Sequence, residues 1–161
     1  MKSLPRAFLK SPIGFIEITG SEKGLRSLYF LDFKVRIPRV PHELKNVADQ
    51  LGEYFTGDRK EFSVELDLQG SAFQLKVWDE LTRIPYGKTI TYHELARRTG
   101  NPIAFRAVGG ANATNPVSIV IPCHRVIGTS GRLVGYAGGL KRKKWLLEHE
   151  HAFAQRDLFY R

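Results

Sequence analysis

The sequence predicts an α+β fold in two parts: a small N-terminal domain of antiparallel strands plus one helix over residues 1–69, then a winged helix-turn-helix domain over residues 70–161. Three observations carry this prediction. Before residue 68, apolar and polar residues alternate in short runs, the period of half-buried strands. From Gly70 onward the spacing becomes helical, with explicit start signals. Two short helices around a glycine turn then precede a glycine-bounded hairpin, the order of a winged helix-turn-helix.

In the first part, Ser11-Pro12-Ile13-Gly14 forms a turn, and residues 15–19 follow with Ile16 and Ile18 on one face. Residues 20–24 are turn formers and residues 25–30 return apolar, a β-hairpin signal. A proline-bounded polar stretch (36–41) leads to residues 43–55. There Leu44, Val47, Ala48, Leu51, Tyr54 and Phe55 recur at helical spacing, and Gly57 stands just past the end. Phe62, Val64, Leu66 and Leu68 alternate with Ser63, Glu65 and Asp67, predicting a half-buried strand. No chemical motif falls in this part, which reads as support.

In the second part, Ser71-Ala-Phe-Gln74 is a capping box for a helix expected to bury Phe73, Val77, Trp78 and Leu81. Ile84-Pro85-Tyr86-Gly87 ends it. Thr91-Tyr-His-Glu94 is a second capping box, for a helix running to Thr99 and stopping at Gly100. Asn101-Pro102 supplies a cap and a first-turn proline for a third helix over residues 103–112. Asn115-Pro116 breaks the pattern. Gly128-Thr-Ser-Gly131 is a turn that pairs residues 125–127 with 133–136. Gly138-Gly139 introduces a last helix, residues 140–149, ending at Glu150. Its run Lys141-Arg-Lys-Lys144 reads as a solvated helix face, with phosphate contact the alternative. Residues 151–161 carry no signal, and no repeat or low-complexity segment is present.

Hydrophobic content of 42% and charged content of 25% are those of a soluble globular chain. No apolar run approaches the roughly 18 residues of a membrane span, and the N-terminus lacks the apolar core of a signal peptide. One cysteine excludes an internal disulfide framework and any cysteine-rich zinc site. Such a free thiol belongs in a reducing compartment, the cytoplasm or a nucleus. The net charge of +9 is unevenly placed. Residues 1–70 hold 11 Lys/Arg against 10 Asp/Glu, a net of +1, and residues 71–161 hold 14 against 6, a net of +8. A basic half attracts a polyanion, and charge alone does not choose between nucleic acid and an acidic membrane surface.

The lone cysteine, Cys123, lies in the same basic half, within Ile119-Val-Ile-Pro-Cys-His-Arg-Val-Ile127. Flanking apolar residues predict a buried strand or strand end that delivers the thiol to a fixed place. A lone free cysteine is usually a small buried hydrophobe. With His124 and Arg125 beside it, it is also a candidate nucleophile, because a neighbouring imidazole or cation is the usual means of making a thiolate.

Pro122-Cys-His-Arg-Val126, with the capped helix-turn-helix before it and Gly135-Tyr-Ala-Gly-Gly139 after it, resembles the O6-alkylguanine-DNA alkyltransferases. Ile84-Pro-Tyr-Gly-Lys-Thr-Ile-Thr-Tyr92, Gly100-Asn-Pro102, Arg106-Ala-Val-Gly109 and Asn115-Pro116 match the same family in order and spacing, so the resemblance covers about residues 11–150. It implies direct-reversal repair: stoichiometric, irreversible alkyl transfer from O6-alkylguanine, and from O4-alkylthymine, to Cys123. It further implies that His124, reaching the thiol through water and held by Glu150, lowers the thiol pKa through a thiolate–imidazolium pair.

The same resemblance places Tyr92 and Asn115 in the catalytic set and Arg106 in the stack that the flipped nucleotide leaves. Duplex DNA is the implied partner, bound in the minor groove by a monomer with little sequence preference. Ala107, Gly109, Gly110 and Ala111 suit close approach to it, and Arg125 is expected to contact it. Tyr136, Asn112, Pro122 and the backbone of Val126 and Ala137 are expected to form the alkylguanine pocket. Asn112 departs from the family, which is often apolar there. Some members bind zinc through N-terminal cysteines and histidines. This chain has only His42 in that region, so no metal and no cofactor are expected. Two rival readings remain at this level: a DNA-binding regulator with Cys123 as a sensor, and a cysteine hydrolase.

Overall fold

The computed structural model describes residues 4–151. The chain divides into two compact units between Gln69 and Gly70.

The first unit is a three-stranded antiparallel sheet with one helix. Strands β1 (Arg6–Ser11), β2 (Gly14–Ser21) and β3 (Gly24–Leu31) pair in sequence order. The Ser11–Gly14 turn therefore joins two strands, and β1 is a strand that the pattern before Ser11 did not disclose. Ile16 and Ile18 on β2, with Leu25 and Leu28 on β3, are fully buried on one face. Helix α1 (Lys45–Thr56) follows a single 3-10 turn at His42–Leu44 and buries Val47, Leu51 and Tyr54. Gly57 closes it in the left-handed region at φ 86°, where a side chain is disfavoured.

The strand expected over residues 62–68 is not formed. The segment makes one isolated parallel bridge, Leu66 to Leu25, through Leu25 N–H to Glu65 O at 2.8 Å and Asp67 N–H to Leu25 O at 2.9 Å. Its alternation is real, with Phe62, Val64 and Leu66 half-buried and Ser63 and Glu65 exposed. Alternation reports which face is covered, and a single extended segment satisfies that without a ladder. Gly24 is obligatory beside it: φ is +146°, and a Cβ there would meet Glu65 O at 2.4 Å.

The second unit is mainly helical. Helix α2 (Ala72–Thr82) begins with the full reciprocal capping box of Ser71 and Gln74. It buries Val77, Trp78 and Leu81, whereas Phe73, expected in the core, is 38% exposed. Helix α3 (Tyr92–Arg98) is capped by Thr91, but only half of its expected box forms. Glu94 turns instead to Arg97 at 2.6 Å and Arg98 at 3.0 Å. Helix α4 (Phe105–Ala113) starts later than expected. Asn101 and Pro102 lie in a preceding turn, closed by Ala104 N–H to Asn101 O at 3.0 Å. The last helix, α5 (Leu140–His149), ends with Glu150 as its C-cap.

A two-residue parallel pair, β4 (Ile90–Thr91) with β5 (Val126–Ile127), ties the start of α3 to the cysteine segment. The chain does turn at Gly128, whose N–H donates to Arg132 O at 2.8 Å. Residues 133–136 form no strand opposite β5, whose strand partner is the parallel β4. No helix among the described residues is long and apolar enough to cross a membrane. Beyond His151, the C-terminal tail lies outside the described residues.

Candidate active site and nucleic-acid interface

Cys123 opens a single 3-10 turn, Cys123–Arg125, rather than ending a strand. The apolar run around it supplies burial, and extended pairing begins only at Val126. The bend before it is strained, since Ile119, a β-branched residue, sits at φ +73°. Asn115 braces that bend from both ends of its amide: Nδ2 donates to Ile121 O at 2.8 Å, and Oδ1 accepts from Val117 N–H at 3.0 Å. The Cys123 N–H donates to the same Ile121 carbonyl at 2.8 Å.

The thiol is 3% exposed, and burial pushes its pKa up. Asn115, Lys143 and Ser118 oppose that rise without cancelling it. His124 is completely buried, its Nε2 2.8 Å from Glu150 Oε2. Burial lowers the imidazole pKa by more than Glu150 raises it. Both directions favour a neutral thiol beside a neutral imidazole at rest, against the expected thiolate–imidazolium pair. An ionised carboxylate only accepts, so the ring proton sits on Nε2 and Nδ1 is left as the acceptor. Nδ1 is buried and has no hydrogen-bond partner among the described residues. An orphaned nitrogen of this kind suits a group whose task is to take a proton.

Glu150 is held as firmly as it holds. Burial pushes its pKa up, but His124 and Arg125 outweigh burial and keep it well below the usual carboxylate range. Arg125 grips it with two bonds, Nε to Oε1 at 2.7 Å and Nη2 to Oε2 at 3.0 Å, and donates Nη1 to Ile84 O at 2.6 Å. Its guanidinium also lies 5.8 Å from the centre of the Tyr86 ring. Arg125 was expected on DNA. Only 6% exposed and with all three of these nitrogens engaged, it is a structural partner of the carboxylate instead.

The basic run on α5 contains a residue whose place composition could not reveal. Lys143 is fully buried, neither solvated nor free for a phosphate. Its Nζ donates to Val134 O at 3.0 Å and Gly135 O at 3.1 Å, and lies 5.9 Å from the Tyr92 ring centre. Burial lowers its pKa to about 8. Ser118, also buried, lowers the thiol pKa and was likewise not singled out.

A cleft of about 380 Å³ is lined by Tyr92, Gly109, Asn112, Ala113, Val134, Gly135, Tyr136 and Ala137, and Cys123 is not among its lining residues. The Cys123 charge acts on both phenols, raising Tyr92 and Tyr136 after burial has already done so. Tyr92 donates its hydroxyl to Val134 O at 3.1 Å and packs against Gly109, where an added Cβ would stand 3.9 Å from the ring. Tyr136, Asn112 and Ala137, which the resemblance assigns to the alkylguanine pocket, line this cleft. Pro122 and Val126 are buried and do not line it.

On α4, Arg106, Ala107 and Gly110 are exposed, and Arg106 makes no hydrogen bond or ion pair among the described residues. Ala111 faces the other way: it is 5% exposed, and its carbonyl accepts from Trp78 Nε1 at 2.8 Å. It belongs to the α2–α4 packing and not to an outer binding face.

Sequence profiles of two described families match the chain: "6-O-methylguanine DNA methyltransferase, ribonuclease-like domain" over residues 4–68, and "6-O-methylguanine DNA methyltransferase, DNA binding domain" over residues 72–152. A methylated-DNA–protein-cysteine methyltransferase of Mycolicibacterium paratuberculosis is 47% identical over 156 residues, covering 92% of this chain and 94% of the relative. The crystal structure of the Mycobacterium tuberculosis O6-methylguanine methyltransferase superposes with a TM-score of 0.84 at 44% identity, covering 98% of this chain and 99% of that one. A second structure, Mycobacterium tuberculosis OGT in complex with DNA, gives a TM-score of 0.82 at 47% identity, over 90% of this chain and 91% of that one.

Proposed function

The chain belongs to the 6-O-methylguanine DNA methyltransferase family, and from that premise we propose that it repairs DNA by direct reversal, moving the alkyl group of O6-alkylguanine, and of O4-alkylthymine, irreversibly onto Cys123. The observation that carries this reading is the buried Cys123 next to the hydrogen-bonded His124–Glu150 pair, with a cleft of about 380 Å³ whose tyrosines lie within range of the thiol's charge.

The resting thiol is neutral, so its proton must leave as the reaction proceeds. His124 Nδ1, unpaired and held in its accepting tautomer by Glu150, takes that proton through one bridging water. Cys123 Sγ attacks the alkyl carbon in line with the C–O6 bond. The S–C bond forms as the C–O6 bond breaks, the electron pair passes to the base, and the base takes up a proton to become ordinary guanine. A thioether has no good leaving group, so each molecule acts once. Charging His124 only as the proton is transferred, instead of storing an ion pair at rest, suits a site where burial opposes charge on both partners.

A target inside a duplex must leave the stack to reach this cleft. In the proposed complex a single copy of the chain lays α4 in the minor groove, Arg106 fills the vacated stack, and Tyr92 assists extrusion. Ala107 and Gly110, exposed on the same helix, allow the backbone to approach closely. Phosphate contacts dominate such binding, which therefore has little sequence preference. A free thiol suits a reducing compartment, which supports the cytoplasm or a nucleus as its location.

Intact-protein mass spectrometry tests the reading. After mixing with an O6-methylguanine duplex, each molecule should gain one methyl mass, and the Cys123→Ser variant almost none. Multiple turnover, or the label on another residue, overturns it.

A further inference from the structure

Glu94 is the only acidic residue between Glu80 and Glu148, a span that holds the thiol, α3 and α4. As the third residue of a helix capped by Thr91, it would ordinarily reach back to the cap's N–H. It reaches forward instead. Oε1 accepts from Arg97 Nη2 at 2.6 Å and from Arg98 Nε at 3.0 Å, and Oε2 accepts from Arg97 Nε at 2.8 Å. The bonds from Arg97, then those from Arg98, bring its pKa down to about 2. Two oxygens facing the Arg97 fork are what a phosphate would also present to it.

Both guanidiniums remain within reach of a partner, the Arg97 side chain being 64% exposed and that of Arg98 33%. An exposed ion pair contributes little to folding, so exchanging its anion is cheap. The arginines lie on the first helix of the helix-turn-helix, the one that crosses the sugar-phosphate backbone when the second enters a groove. The outer face of α3 runs on to the start of α4: the His93 and Phe105 rings stand 4.8 Å apart, and Arg97 lies one turn beyond His93. We propose that Glu94 is a built-in stand-in for phosphate, holding Arg97 and Arg98 in the free protein until backbone phosphates of a duplex take its place. The exchange keeps the arginines aligned before contact, and the cost of parting them from Glu94 is subtracted from the affinity for every duplex. Such restraint suits a protein whose target is vastly outnumbered by undamaged sites. The assignment rests on the proposed function, since it takes a DNA duplex as the partner.

The experiment measures binding to an undamaged duplex over a range of salt concentrations. It compares the unmodified protein, Glu94→Gln, the pair Arg97→Gln with Arg98→Gln, and the triple variant. Gln is itself a capping-box residue, so Glu94→Gln keeps the start of α3. That variant should bind roughly ten-fold tighter, because its arginines no longer leave a partner. The double arginine variant should bind more weakly, with a salt slope shallower by up to about two. In that background Glu94→Gln should change affinity by no more than about two-fold, since its effect passes through the arginines. Equal or weaker binding by Glu94→Gln overturns the assignment, and so does an unchanged slope in the double arginine variant. An equal gain from Glu94→Gln with and without the arginines overturns it too, because Glu94 would then act only as a lone charge repelling phosphate. No binding of the unmodified protein to any duplex overturns the proposed function itself, a result distinct from binding that ignores these residues.

Discussion

A single carboxylate, Glu150, joins the chemistry of the site to its stability. It fixes the tautomer of His124 and neutralises the buried guanidinium of Arg125. Replacing it by Gln leaves Arg125 buried without its counter-charge, which should cost about 3–5 kcal/mol in urea unfolding. The acid limb of stability should change with it. The folded pKa of Glu150 lies well below its ordinary value of 4.5, so its contribution is complete above 4.5 and is lost as pH falls toward the folded value. Glu150→Gln should therefore flatten the acid limb, and an unchanged limb would show that the pair does not couple to folding. The neutral thiol and imidazole predict a second profile. Ultraviolet thiolate absorbance, measured against Cys123→Ser, should be absent at pH 7. The rate with free O6-benzylguanine should stay level through neutrality and fall in acid, where His124 takes a proton from solvent and ceases to be a base. A rate that climbs across neutrality in step with thiolate absorbance contradicts this account. The sequence placed Cys123, His124 and Glu150 together through family register. It could not tell that Arg125 turns inward, because the number of basic residues says nothing about which of them finds a buried carboxylate.

Among the elements, those encoded locally were legible and those made by distant pairing were not. The Ser71 capping box and the left-handed Gly57 stop are built from residues within one turn of each other, and both are present. The β4–β5 pair joins residues 36 apart, and nothing in either two-residue strand announces the other. Residues 133–136 form a loop beyond that pair, held by helix α5 through Lys143. A helical run of four basic residues reads as solvated until the packing of α5 is known. The buried cation yields a prediction with two opposed trends. With a folded pKa of about 8 against 10.5 unperturbed, the unfolded chain holds more protons between those values, so this group makes stability rise with pH there. Over the same interval the thiol loses a cation that lowers its pKa, so the rate of transfer should decline. Lys143→Met should abolish both trends. If it removes only the stability trend, Lys143 pins the Val134–Gly135 loop without any electrostatic hold on the thiol.

For the whole molecule, charge and target are matched in the basic half, whose net +8 lies with the thiol, α3 and α4. Much of that excess is already committed: Arg97 and Arg98 share Glu94, Arg125 holds Glu150, and Lys143 is buried. Arg106 is exposed on α4 and uncommitted among the described residues, so its contribution can be separated from that of the field. A simple phosphate contact and a flipping wedge both weaken duplex binding when removed, and each reduces the salt slope by at most about one. They differ in what happens to the free base. A wedge acts only on a target that must leave a stack, so Arg106→Ala should slow repair of duplex O6-methylguanine by ten-fold or more while leaving the reaction with free O6-benzylguanine within about two-fold. A phosphate contact predicts that saturating DNA restores the duplex rate, because only affinity was lost. A wedge predicts that it does not, because extrusion itself has been slowed. Single-turnover rates at saturating duplex therefore decide the role of Arg106, and full recovery there removes it from the flipping step.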